Sequence, residues 1–82
     1  IVAERTRVVD TLRAAGWWLP EPAGNFVYLP VGDAAADLAL ALERVGVVVR
    51  PFAGDGVRIT IGTEAENDRM LAALAAHPSV GR

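Results

Sequence analysis

The sequence predicts a two-layer α+β domain, in which a three-stranded, mainly antiparallel sheet carries helices on one face. Apolar residues at helical spacing alternate with short strand-like segments, in the order helix, strand, helix, strand, strand, helix. A glycine-containing stretch between the last two strands favours a hairpin, which makes them antiparallel. A right-handed crossover makes the first two strands parallel and leaves room for the third between them, so the sheet order is 1-3-2.

Composition limits the possible functions. The chain has 82 residues, which suits one small domain, and its hydrophobic content of 52% argues against disorder. A net charge of −2 gives no strong attraction to nucleic acid or to an anionic membrane. The absence of cysteine and the single histidine, His77, argue against disulfides and zinc. No apolar run approaches the roughly 20 residues of a membrane span.

All eight basic residues are arginine, and the chain contains no lysine. Schiff-base chemistry through a side-chain amine is therefore impossible on this chain alone. The sequence opens inside a helix-like pattern, without an initiator methionine or an N-cap. We therefore expect it to be a piece of a longer protein.

Residues 1–15 are predicted to form the first helix, and Gly16 is expected to end it in the left-handed conformation. The apolar stripe of this helix consists of Val8, Val9, Leu12 and Ala15.

Residues 17–24 form a connection, because Pro20 and Pro22 interrupt regular structure. Trp17 and Trp18 are adjacent, so in an extended chain they point to opposite sides. We expect one in the core and the other on a flank. Ligand stacking is an alternative for the second ring, but burial against a domain outside this chain is favoured.

Residues 25–30 are predicted to form the first strand. Its two faces carry Phe26 with Tyr28, and Val27 with Leu29. Because both faces are apolar, the strand is expected to be covered on two sides. Asn25 lies at its start, where the side-chain amide could meet a ligand or close a turn.

Residues 33–45 are predicted to form the second helix, with Asp33 as its N-cap. Its apolar stripe consists of Ala35, Leu38, Ala39, Leu42 and Val45. Gly46 is expected to end this helix. A run of three valines then predicts a buried strand over residues 47–50.

Residues 51–56 are predicted to form the turn, and residues 57–61 the third strand. In this strand Arg58 alternates with three aliphatic side chains, so it points away from the buried face. A guanidinium in mid-strand is costly unless it is solvated or meets an anion.

The last helix begins with a capping box formed by Thr63 and Glu66, and the sequence His77-Pro78 ends it. Its buried stripe is predicted to contain Met70, Leu71 and Leu74.

Two stretches carry a family resemblance. The first is Leu12-Arg13-Ala14-Ala15-Gly16, followed by Pro22 and Asn25-Phe26-Val27. The second is Val49-Arg50-Pro51-Phe52, followed by Val57-Arg58-Ile59-Thr60-Ile61-Gly62-Thr63 and Glu66-Asn67-Asp68. Together they resemble the C-terminal small domain of class II, fold-type I pyridoxal-phosphate aminotransferases, especially the histidinol-phosphate and aromatic amino acid aminotransferases.

The resemblance implies a role for each candidate residue. Arg58 would bind the substrate's anionic group, most often the α-carboxylate. Arg50 would lie at a second position near the substrate, although a strand-end arginine is also an ordinary solvated charge. Asn25 is a third candidate substrate-binding residue.

The resemblance also implies the rest of the enzyme. The substrates would be histidinol phosphate or an aromatic amino acid, with a 2-oxo acid. Pyridoxal 5'-phosphate would be bound by a large domain of the same protein, absent from residues 1–82, and the isolated chain would be inactive. The full-length protein would be a cytoplasmic homodimer.

Two other functions are also consistent with the sequence. A small sheet with helices on one face also occurs in free-standing amino-acid-binding or interaction modules. A purely structural subunit would account for the apolar surface but would leave Arg58 unexplained.

Overall fold

The computed structural model describes residues 2–22 and 24–77. The elements are helix α1 (Val2–Ala14), strand β1 (Phe26–Leu29), a 3₁₀ turn (Gly32–Ala34), helix α2 (Ala35–Arg44), strands β2 (Val49–Phe52) and β3 (Gly56–Thr60), and helix α3 (Glu64–Ala76). The predicted element order is confirmed. Ile1 and Pro78, at the outer ends of the predicted helices, lie outside the described residues.

The strands form one sheet in the order β1-β3-β2, with β3 antiparallel to both neighbours. This confirms the predicted topology and fold class. Arg58 is the central member of a row across the sheet, paired with Tyr28 on β1 and Arg50 on β2. The helices cover the other face, where Val27 and Ile59 are buried.

The core lies between the helices and this covered face. It contains Val8, Val9 and Leu12 of α1, Ala35, Leu38, Ala39 and Leu42 of α2, and Met70 and Leu74 of α3. Most residues of the predicted helical stripes therefore face the sheet, while Leu71, predicted to be buried, is only partly buried at the edge of the core. Trp17 is also buried, whereas Trp18 is 70% exposed, as expected for adjacent residues of an extended segment.

The described residues of this chain cover β1 on one of its two faces, so the expected cover of the other face stays a prediction about what lies outside them. Val27 and Leu29 are buried, but Phe26 is 38% exposed and Tyr28 is only partly buried. The described residues thus cover the sheet on one side. The apolar side chains on the other side do not belong to the core.

The predicted bounds of β2, residues 47–50, are wrong, since the strand runs from Val49 to Phe52. Gly46 has φ 80°, and the N–H of Val47 donates to the carbonyl of Leu42 at 3.1 Å. This is a Schellman cap, which uses the N–H that a strand would need. The strand therefore starts later, and Val48 is exposed rather than buried.

Asp33 does not cap α2. The 3₁₀ turn moves the start of the helix to Ala35 and makes Ala34 the N-cap, with no side-chain hydrogen bond. Asp33 itself is exposed. Ala15 and Val45, predicted to extend their stripes, are exposed beside the glycines that end the helices.

The capping box of α3 is confirmed. The Thr63 hydroxyl accepts from the N–H of Glu66 at 3.2 Å, and the N–H of Thr63 donates to the Glu66 carboxylate at 2.7 Å. These hydrogen bonds with Thr63 lower the pKa of Glu66. The cap fixes the point at which the chain leaves β3 and enters α3.

Candidate functional site

The candidate site is the sheet face that the helices leave uncovered, here called the open face. Its side chains are Phe26, Tyr28, Arg50, Phe52, Arg58 and Thr60. They share this face because side chains alternate along each strand and the register aligns them. Sequence alternation predicts Arg58 on this face, but the alignment with Arg50 and Tyr28 comes from the register.

Arg50 and Arg58 are direct cross-strand partners. Opposed residues of antiparallel strands have Cα atoms about 4.5–5.5 Å apart, and like charges in such a pair repel. Among the described residues, neither guanidinium forms an ion pair or donates a side-chain hydrogen bond. The open face thus presents two adjacent cations without a described acceptor.

A comparison of partly buried arginines separates Arg58 from the rest. Arg7 donates to both carboxylate oxygens of Glu4, at 3.2 and 2.9 Å, and Arg5 donates to the Gly24 carbonyl at 2.6 Å. Arg58 is also partly buried, yet it has no such acceptor within the described ranges. A guanidinium that has lost part of its water needs an anion or another acceptor. Arg58 is therefore suited to bind one.

Each of the two guanidinium groups makes a cation–π contact with a phenylalanine ring. The Arg58 guanidinium carbon lies 4.5 Å from the centre of the Phe26 ring, and that of Arg50 lies 5.7 Å from the centre of the Phe52 ring. Cation–π contacts of this kind hold a guanidinium beside a ring without providing a hydrogen-bond acceptor. The N–H groups of both arginines have no acceptor among the described residues, so they are available for a carboxylate.

Tyr28 lies directly across from Arg58 and ties β1 to the hairpin turn. Its hydroxyl donates to the carboxylate of Asp55, and its ring meets Phe52 edge-on with centroids 6.2 Å apart. The hydrogen bond to Asp55, aided by partial burial, raises the pKa of Tyr28 to about 12. At Gly56 a Cβ atom would clash with the backbone carbonyl oxygen of Leu29 and lie 2.6 Å from the Tyr28 hydroxyl oxygen, so glycine makes room for both.

Asn25 lies apart from the two arginines. It is exposed, just before β1, and its backbone carbonyl accepts from the N–H of Ile61 at 2.7 Å. It is three positions from Tyr28, or about 10 Å along an extended strand. The structure thus brings Arg50 and Arg58 together but leaves Asn25 at the end of the sheet, and its role stays a prediction.

The open face can bind and orient an anion. Its polar groups are two guanidiniums, a phenol and the Thr60 hydroxyl, and they include no carboxylate, imidazole or amine that could act as a general base. Within residues 2–22 and 24–77, no three His, Cys, Asp or Glu side chains group to hold a metal ion. No helix in these ranges is long and apolar enough to cross a membrane.

The fold and the site together define a small α+β domain that presents paired arginines on a sheet face. The sequence was compared with models of known protein families. The family model described as "Aminotransferase class I and II" matches residues 1–74. The chain belongs to this aminotransferase family.

Individual relatives agree with this assignment. The chain is 57% identical over 72 residues to an aromatic amino acid aminotransferase of Rhodococcus jostii (strain RHA1), covering 88% of this chain and 20% of that protein. It is 54% identical over 71 residues to the aromatic amino acid aminotransferase of Streptomyces avermitilis, with 87% and 20% covered.

A solved structure has the same fold. It is a protein from Burkholderia pseudomallei K96243 that was assigned as an aminotransferase, with a TM-score of 0.75 and 36% identity. The match covers 89% of this chain and 24% of that one. The chain thus spans about one fifth of the length of the curated relatives it matches.

Proposed function

We propose that this chain is the C-terminal small domain of a pyridoxal-phosphate-dependent aminotransferase, and that Arg58 binds the carboxylate of its substrate. One observation carries the proposal. Arg58 is partly buried on the central strand, and its guanidinium has no acceptor within the described residues. A planar guanidinium can donate two parallel hydrogen bonds to a carboxylate, and a central strand holds it rigidly.

Arg50 is proposed as a second anion-binding residue at the same site. Its place directly across from Arg58 supports this role, since a negative ligand would relieve the repulsion between the two cations. Its exposure makes the contribution smaller than that of Arg58. Asn25 is kept as a candidate contact at the far end of the strand.

For the substrates we propose an aromatic amino acid and a 2-oxo acid. The names of the relatives support aromatic amino acids, because those compared above are called aromatic amino acid aminotransferases. Histidinol phosphate, the other substrate that the sequence resemblance implies, has no such support. The reaction would transfer an amino group between the amino acid and the 2-oxo acid.

This chain cannot hold pyridoxal phosphate covalently through a side chain. The chain has no lysine, so it offers no side-chain amine for a Schiff base with the cofactor. We therefore propose that the cofactor, which supplies the amino-group carrier, binds to a large domain of the same protein. A homodimeric assembly and a cytoplasmic location are further proposals from the family resemblance.

The experiment that tests this proposal is Arg58→Lys in the full-length protein. Lysine keeps the charge but loses the paired hydrogen bonds, so kcat/KM for the amino acid should fall by the equivalent of about 1–3 kcal/mol. Steady-state kinetics with phenylalanine and tyrosine would measure the change.

Arg44→Lys is the matched control. Arg44 is exposed at the end of α2 and makes no side-chain hydrogen bond to a described residue, so its replacement should leave kcat/KM unchanged. Equal kinetics for Arg58→Lys and the unmodified protein would remove Arg58 from the site.

A further inference from the structure

The ring of Phe26 lies against the guanidinium of Arg58 on the open face. The ring centre is 4.5 Å from the guanidinium carbon, well within the range of a cation–π contact. Phe26 pairs with Thr60, so it reaches Arg58 as the diagonal neighbour on the open face. This contact joins an edge strand to the central strand.

The residue directly across from Arg58 does not provide this support. Tyr28 is turned towards the hairpin, where its hydroxyl donates to Asp55 and its ring meets Phe52. Among the described aromatic residues, Phe26 is the one whose ring lies within cation–π distance of Arg58. The aromatic contact of Arg58 is therefore made by Phe26.

Core packing does not explain the aromatic ring at this position. Phe26 is 38% exposed, whereas Val27 and Leu29 on the same strand are buried under the helices. A large exposed apolar side chain contributes little to the core. Its contact with a partly buried cation is the interaction that the structure shows.

We propose that Phe26 is a positioning residue for Arg58 and sets the affinity of the site for a carboxylate. This inference rests on the proposed role of Arg58 as the carboxylate ligand. The ring restricts the rotamers of a long, flexible side chain and shields one face of the guanidinium from water. A side chain that is already held in place needs less ordering when a carboxylate binds to its N–H groups.

The test compares Phe26→Leu, Phe26→Trp and Arg58→Gln with the unmodified full-length enzyme. The readouts are kcat and KM for phenylalanine and the inhibition constant of 3-phenylpropionate, a carboxylate without an amino group. Phe26→Leu should raise KM and the inhibition constant by about three- to tenfold, because a flexible Arg58 side chain must then be ordered when the ligand binds, and leave kcat nearly unchanged. Tryptophan binds cations better than phenylalanine, so Phe26→Trp should restore tight binding.

The double variant Phe26→Leu/Arg58→Gln shows whether Phe26 acts through Arg58. Once Arg58 is gone, the further change to leucine should have no effect on the inhibition constant. Persistence of the full leucine effect in this background would overturn the inference, because Phe26 would then act independently of Arg58. Thermal unfolding of each variant confirms that the protein is folded.

Failure of the inference is distinguishable from failure of the proposed function. If Arg58→Gln weakens inhibitor binding and Phe26→Leu does not, Phe26 is not a positioning residue, but the function of Arg58 stands. If Arg58→Gln itself leaves inhibitor binding unchanged, the proposed function of Arg58 is wrong and the inference fails with it.

Discussion

Asn67 is the buried polar side chain of the described core, with 1% of its surface exposed. Its amide oxygen accepts from the N–H of Gly62 at 2.9 Å, and its amide nitrogen donates to the Gly62 carbonyl at 3.1 Å and to Glu4 at 2.8 Å. One side chain thus joins the end of β3 to α3 and α1. A buried amide with these partners stabilises one arrangement of the three elements.

Asn67→Ala should destabilise the fold by about 2–3 kcal/mol. The change removes three hydrogen bonds and leaves the partly buried backbone groups of Gly62 without their side-chain partner, at a cost typical of unsatisfied polar groups. Urea unfolding of the 82-residue chain, with and without the substitution, would measure the difference in free energy of unfolding.

Asn25→Ala is the control for this prediction. Asn25 is exposed, and its side chain makes no hydrogen bond to a described residue, so its loss should change the free energy of unfolding by no more than about 0.5 kcal/mol. Similar losses for the two variants would contradict the structural role of Asn67.

Single residues differed in how well the sequence predicted them. The orientation of Arg58 followed from alternation within one strand, which is local information. The burial of Asn67 did not, because an asparagine in the first turns of a helix is usually exposed. Its partner Glu4 lies 63 positions away, and no local pattern connects the two.

At the scale of elements, charged side chains connect α1 with α3. Arg7 lies between Glu4 of its own helix, at 2.9 Å, and Asp68 of α3, at 3.0 Å. The hydrogen bonds from Arg7 and then from Asn67 lower the pKa of Glu4 to about 2. Hydrogen bonds to Glu4 likewise raise the pKa of Arg7, which stays charged throughout the accessible pH range.

This connection predicts a loss of stability in acid. The pKa of Glu4 is lower in the folded chain than its ordinary value of 4.5, so the ionised form favours folding. The contribution is present above pH 4.5 and is lost as the pH falls towards 2. Glu4→Gln should therefore reduce the pH dependence of the free energy of unfolding in this window, measured by urea titrations at several pH values.

Glu43→Gln makes the same charge change elsewhere. Glu43 is exposed on α2, and its side chain forms no ion pair or hydrogen bond with a described residue. Its replacement should leave the acid dependence between pH 4.5 and 2 intact. If both glutamine variants show the same acid profile as the unmodified chain, the contribution of Glu4 is absent.

Sequence patterns predicted the elements better than their ends. Helical stripes located all three helices, because they repeat over many residues, and glycines ended the first two while a capping box began the third. The start of β2 was missed because the cap of α2 uses the N–H of Val47. Asp33 failed as a cap because the 3₁₀ turn precedes α2, and hydrophobic periodicity does not report such a turn.

At the scale of the whole molecule, one face of the sheet packs against the core and the open face carries the candidate site. Helices and apolar side chains on one face hold the strands rigid, and the other face presents Arg50 and Arg58 in register. The sequence predicted this division from the alternation in β3. Which side chains meet across the strands depends on the register, which local patterns do not specify. The suggested carboxylate role of Arg58 came from the family resemblance.

The lysine-free composition gives the last prediction, which concerns the chain as a unit. Incubation of the 82-residue chain with pyridoxal phosphate, followed by borohydride, should leave no cofactor on any side chain, because the chain has no side-chain amine. Mass spectrometry of proteolytic fragments would locate any label, and reaction at the N-terminal amine would appear in the first fragment alone. The full-length protein, treated in the same way, should carry one cofactor per chain on a lysine outside these residues. A stoichiometric label within the 82-residue chain, away from its N-terminus, would contradict the proposal. The proposal requires that the small domain binds the substrate and that a separate large domain binds the cofactor.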